Sequence, residues 1–152
     1  MIGVHLIVLG AVTNEGWNRH RAIVKLQRAG IGLFFEHQGA RTRAYDPNAR
    51  PPGWWLAKRV CGEYSQSRVI QIEVVPPAKF TDSDCQMITV FKELDWLAAS
   101  GTQLTDEGLK HLGSITNLGR LDVEQCRVTK QGVARLRRAL PNTAVYSDFD
   151  IK

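Results

Sequence analysis

The chain has 152 residues, 43% of them apolar and 23% charged, with a formal charge of +5; that composition excludes a disordered polymer and suits one hydrophobic core rather than two domains. The charge is lopsided: residues 1–68 hold ten Lys and Arg against four Asp and Glu, whereas residues 69–152 hold ten against eleven. Cys61, Cys85 and Cys126 form no CxxC pair and no zinc-like spacing with His, which argues against a structural metal or a disulfide scaffold and fits a reducing compartment.

Residues 1–12 are an apolar run that Thr13, Asn14 and Glu15 interrupt. It is shorter than the roughly 20 residues a membrane span needs, and it lacks the basic leader and small-x-small site of a signal peptide. Trp17 followed by Arg19, His20 and Arg21 nevertheless resembles the interfacial flank of an anchor. Residues 1–17 are therefore expected to be an ordinary terminus first, a truncated membrane anchor second and a signal peptide last. Ala22, Ile23, Leu26 and Ala29 recur at helical spacing ahead of Gly30, predicting an amphipathic helix over 18–29 with Arg19, Arg21, Lys25 and Arg28 on its other faces.

Residues 31–37 are β-rich and predict a strand; residues 38–53 hold Gly39, Asp46-Pro47-Asn48 and Pro51-Pro52-Gly53 and predict a loop. A second short helix is predicted over 54–61, where Leu56 and Val60 share one face. This basic region, 18–68, reads as a helix-strand-helix cap on the open end of the segment 69–152.

From residue 69 to 152 the chain repeats. Thr81, Thr105 and Thr129 recur every twenty-four residues; Phe80, Leu104 and Val128 precede them, and Cys85, Leu109 and Val133, then Ile88, Leu112 and Leu136, follow in step. A period in the twenties is that of a solenoid, whose units stack because none buries its apolar side alone. Each unit opens with an alternating run, Val69-Ile72-Val74, Leu94-Leu97-Ala99 or Leu118-Leu121-Val123, which predicts a strand with one face inward. The threonines then stand where helix N-caps are needed, and Asp84 lies three residues after Thr81, as in a short capping box. About three units and a closing strand near Val145 result.

These stretches resemble bacterial leucine-rich repeats of the pattern L-x-x-L-D-L-x-x-T-x-V-T-D-x-G-L, on Thr102-Gln103-Leu104-Thr105-Asp106-Glu107-Gly108-Leu109, on Leu118-Gly119-Arg120-Leu121-Asp122-Val123, and on Arg137-Arg138-Ala139-Leu140-Pro141-Asn142. The resemblance covers residues 69–146. Lys130 departs from the usual acidic residue, and Ala98-Ala99 from bulkier strand residues. The resemblance implies a short right-handed α/β solenoid, ribonuclease-inhibitor-like, with parallel strands and outer helices, and a protein that binds other macromolecules without catalysis. It also implies a membrane anchor ahead of the repeats, of which residues 1–17 would be a shortened version.

Neighbouring parallel strands one repeat apart put residues of equal phase side by side. One row of the exposed strand face should read Gln71, Trp96, Arg120, Ala144; the next Glu73, Ala98, Asp122, Tyr146; the third Val75, Ser100, Glu124, Asp148. Trp96 and Arg120 then adjoin as a cation–π pair, although Trp96 equally reads as cover for the gap beside Ala98 and Ala99. Thr102 and Cys126 fall at a polar ladder position between turns. The candidate binding face is Gln71, Glu73, Trp96, Arg120, Asp122, Glu124 and Tyr146, with an unknown protein as partner.

No nucleophile-base pair, carboxylate pair, metal set, cofactor loop or phosphate loop emerges. His5, His20, His37 and His111 lie in unrelated contexts, and Asp82 with Asp84 suits a helix N-terminus; no enzyme is expected. The alternative is a basic surface, Arg19, Arg21, Lys25 and Arg28, docked on anionic membrane or nucleic acid. Nucleic acid is the weaker version because no stacking aromatics interleave with the charge. A shortened family member without independent activity is a third reading. The expected location is cytoplasmic, or membrane-associated if the terminus anchors.

Overall fold

The computed structural model describes residues 2–37, 40–42, 68–75 and 77–150, with side chains from residue 14 onward except those of 36–37 and 40–42. Its elements are α1 (Ile2–Arg28), β1 (Gly32–His37), β2 (Ala40–Thr42), β3 (Arg68–Glu73), α2 (Asp82–Ile88), β4 (Trp96–Ala98), α3 (Asp106–Leu112), β5 (Arg120–Asp122), α4 (Lys130–Ala139) and β6 (Ala144–Tyr146). One six-stranded sheet has the order β2-β1-β3-β4-β5-β6. β1 pairs antiparallel with β2 and β3, while β3 through β6 are parallel to one another. The fold is mixed α/β, a stack of strand-helix units with a single core.

The twenty-four-residue period explains that core. Phe80, Leu104 and Val128, Cys85, Leu109 and Val133, and Ile88, Leu112 and Leu136 are all buried, as are the strand residues Ile72, Leu97, Leu121 and Val145. Alternate strand residues face away and stay half-buried or exposed, because successive side chains on a strand point to opposite faces. Burial of Cys85 pushes its thiol well above the ordinary value, with the charges of Asp82 and then Asp84 adding to the effect. It serves as a small apolar residue.

Each repeat threonine gives its amide and its hydroxyl to one carboxylate. Thr105 N and Oγ1 donate to Asp82 at 2.9 and 2.6 Å, and Thr129 N and Oγ1 donate to Asp106 at 2.7 and 2.7 Å. The carboxylate thus comes from the preceding unit. In the first unit Thr81 donates instead to its own Asp84, from N at 3.0 Å and Oγ1 at 2.9 Å. Thr105 and Thr129 in turn accept from Glu107 N and Gly132 N, capping α3 and α4. In the third unit Lys130 stands where Asp82 and Asp106 stand in the first two.

The turns between strand and cap are tied as well. Thr102 Oγ1 donates to Ala99 O at 2.8 Å and lies 3.5 Å from Cys126 Sγ, which itself reaches Ala99 O at 3.2 Å. At the far end, Arg137 Nη2 donates to Val145 O at 2.8 Å and forms an ion pair with Asp150. That guanidinium occupies an acceptor on the edge of β6 that no described strand pairs, where an open strand edge would invite another chain.

The first part departs from the expectation. α1 runs Ile2–Arg28, so the described part of the apolar N-terminal segment and the predicted basic helix are one continuous helix. Thr13-Asn14-Glu15 interrupts the apolar run without ending the helix, since it holds no Pro or Gly and each of its residues costs less than about 1 kcal/mol in a helix interior. Residues 40–42, expected within a loop, form β2, because β1 offers them a hydrogen-bonding edge. Ahead of the repeats, the described elements are therefore a helix and an antiparallel strand pair; the helix predicted over 54–61 lies outside the described residues. No described helix is long and apolar enough to cross a membrane.

Candidate functional site

Four parallel strands, β3 to β6, set the site. Their register pairs Gln71 with Trp96, Trp96 with Arg120 and Arg120 with Ala144, and in the next row Glu73 with Ala98, Ala98 with Asp122 and Asp122 with Tyr146. These are the neighbours that the repeat spacing predicts. Buried Leu97, Leu121 and Val145 alternate with them and lock the strands onto the core, so the outward side chains start from fixed backbone.

Arg120 is the centre of the arrangement. Its Nε donates to Asp122 Oδ1 and Oδ2 at 3.0 and 3.1 Å. Its guanidinium carbon lies 4.8 Å from the Trp96 ring centroid and 4.7 Å from that of Tyr146, within the range of cation–π attraction. Trp96 Nε1 donates to Asp122 Oδ2 at 2.9 Å, so the indole is held by its polar edge while its ring meets the arginine. Asp122 is nearly covered, with its side chain 13% exposed, against 49% for Arg120. The hydrogen bond to Asp122 raises the guanidinium pKa above its ordinary value, and Arg120 is a permanent cation.

The structure therefore brings together Trp96, Arg120, Asp122 and Tyr146. Gln71 and Glu73 stand half-buried at the first-unit end of the same rows. Glu124 lies past the end of β5, exposed, and its carbonyl accepts from Gly101 N at 2.8 Å. The contact of Arg120 with Tyr146 and the bond from Trp96 to Asp122 are not among the neighbours expected from the repeat rows. Both are diagonal contacts between rows, and the register itself offers them, since long side chains reach two residues along a neighbouring strand. A groove of about 200 Å³ between α3 and α4, lined by Leu109, Lys110, Arg135 and Leu136 among others, does not include the cluster.

The basic helix face is a different matter. Arg19 is buried: its Nη1 donates to Val90 O at 3.1 Å and to Glu93 Oε2 at 3.2 Å, its Nη2 pairs with Glu93 Oε1, and it lies over Phe91. Lys25 Nζ bonds Asp84 Oδ1 at 2.9 Å. Two of the four cations expected on a free docking surface thus join α1 to the first repeat unit, leaving Arg21 and Arg28 exposed. Glu93 of that unit draws Arg19 inward, whereas Lys25 bonds Asp84 with its own side chain still 56% exposed.

No family model matches the chain, and no curated protein matches it. Among solved structures, an internalin from Listeria monocytogenes is similar, at 24% identity and a TM-score of 0.36, over 43% of this chain and 18% of that one.

Proposed function

We propose that the chain is a non-catalytic protein-interaction module of the leucine-rich-repeat type, a short right-handed solenoid whose outward strand face meets a protein partner. The binding residues are Trp96, Arg120, Asp122 and Tyr146 at the centre, with Gln71, Glu73 and Glu124 around them. One observation carries the reading: an exposed guanidinium held between two aromatic rings and a half-buried carboxylate, on rigid strands. Trp, Tyr and Arg dominate binding hot spots because they offer large contact area with little conformational freedom to lose. Here that freedom is already removed, which lowers the entropic cost of association. The repeat sequence pattern supports the same reading.

The test is quantitative crosslinking in the native cell of wild type against Trp96→Ala plus Arg120→Ala, with circular dichroism to establish that both fold. Recovery of a specific partner should fall at least tenfold in the double variant. Equal recovery by a folded double variant would overturn the proposal.

A further inference from the structure

We infer that the partner presents a carboxylate to Arg120, on a segment that carries a cationic side chain about four residues away; this rests on the strand-face reading above. Asp122 occupies only the Nε of Arg120. The two terminal nitrogens make no hydrogen bond among the described residues, and the side chain is half exposed. A planar guanidinium with both Nη groups open is a fork that fits two oxygens of one group. The rings of Trp96 and Tyr146 hold its plane before anything binds.

Charge decides which oxyanion fits. Asp122 stands against the guanidinium and balances it, so the cluster has little net positive charge to offer a dianion. Farther along the same face stand Glu124 and Asp148, both exposed. Asp148 accepts from Gln125 N at 2.8 Å, and Glu124 has no ion pair among the described residues. A phosphate would meet those charges with two of its own, whereas a carboxylate brings one. Glu124 lies four residues beyond Arg120, the last two past the end of β5, so the two stand at most roughly 13 Å apart along the chain, at about 3.3 Å per extended residue. An extended segment with Asp or Glu over Arg120 therefore places a Lys or Arg over Glu124 at a similar spacing, and the opposite charge order is repelled at both points.

The experiment is selection of random twelve-residue displayed peptides on the full chain, counter-selected on a folded Trp96→Ala plus Tyr146→Ala variant. The enriched peptides should share an Asp or Glu with Lys or Arg three to five residues away. Replacing that acid by Gln should weaken binding to wild type at least tenfold and to Arg120→Gln less than twofold, and Glu124→Gln should relax the demand for the cation. Peptides that depend on Trp96 and Tyr146 but need no acid, or that bind tenfold better with phosphoserine in its place, would overturn the carboxylate inference while leaving the strand-face reading intact. Failure of any peptide to enrich over the counter-selecting variant would overturn both.

Discussion

Asp106 accepts the amide and the hydroxyl of Thr129 at 2.7 Å each, so the first residue of one repeat helix completes the cap of the next. Asp82 does the same for Thr105. The Thr-Asp pair is thus a link between units as well as a cap within one. In the first described unit Asp84 supplies the acceptor from its own helix.

Asp106→Ala removes two charge-assisted hydrogen bonds and should destabilise the chain by about 1–3 kcal/mol in urea unfolding. The effect should depend on pH. Burial acts to raise the Asp106 pKa, but the hydrogen bonds from the Thr129 side chain and backbone, then the charges of Arg135 and Lys110, outweigh it and leave the carboxyl below its ordinary value. A folded pKa below the unfolded one gives stability that is fully present above the unfolded value, about 3.9, and is lost as pH falls through the folded one. The gap in unfolding midpoint between wild type and Asp106→Ala should therefore hold steady above about pH 5 and narrow below about pH 4. A gap unchanged down to the acid transition would refute the assignment.

Gly132 is needed because the linking carboxylate lies over it. A Cβ there would stand 2.1 Å from Asp106 Oδ1, and one on Gly108 would stand 2.5 Å from Asp82 Oδ1. Gly132→Ala should cost about 1–3 kcal/mol through overpacking. Combined with Asp106→Ala it should cost less than the sum, by about 0.5–3 kcal/mol, because the clashing group is gone. Additive single effects in that double-mutant cycle would separate the glycine from the link.

Gln125 has φ of 56°, and Gly101 at the equivalent turn of the preceding unit has φ of 72°. A side chain in this left-handed region costs roughly 1–2 kcal/mol, partly offset by the greater freedom glycine has in the unfolded chain. Gln125→Gly should therefore stabilise the protein by up to about 1 kcal/mol, read as a higher urea midpoint with an unchanged slope. Gly101→Ala should move the midpoint the other way.

Arg19 fastens α1 to the repeats through Glu93 and Val90 O. Glu93→Ala leaves that cation buried without its carboxylate and should cost about 2–3 kcal/mol. Limited proteolysis should then cleave within or after α1 sooner than in wild type. If the cleavage rate and pattern do not change, the docking of α1 has another cause.

Much of the repeat region is legible from spacing because a solenoid converts distance in sequence into adjacency in space. Twenty-four residues between Trp96 and Arg120 suffice to make them neighbours, and the alternation around Leu97 and Leu121 suffices to turn both outward. The same periodicity identifies Thr105 and Thr129 as caps. It does not reveal that each cap draws on the aspartate of the preceding unit, since a capping threonine needs no such partner. Nor does any period reach the first part: whether α1 continues through Thr13-Asn14-Glu15 depends on helix propensity set against local breakers, and whether residues 40–42 form a strand depends on an edge that β1 provides.

The sequence by itself determined the repeat, its register and the row in which Trp96, Arg120 and Ala144 lie, because these follow from a fixed period and the two-residue alternation of a strand. Only the tertiary structure decided what the side chains do with that placement. Arg19 and Arg120 are both arginines on faces expected to be exposed; one is drawn into an ion pair with Glu93, while the other is held at the surface by Asp122 between two rings. Charge and hydrogen-bond partners from distant parts of the chain settle that difference, and their positions are known only once the strands and helices have packed.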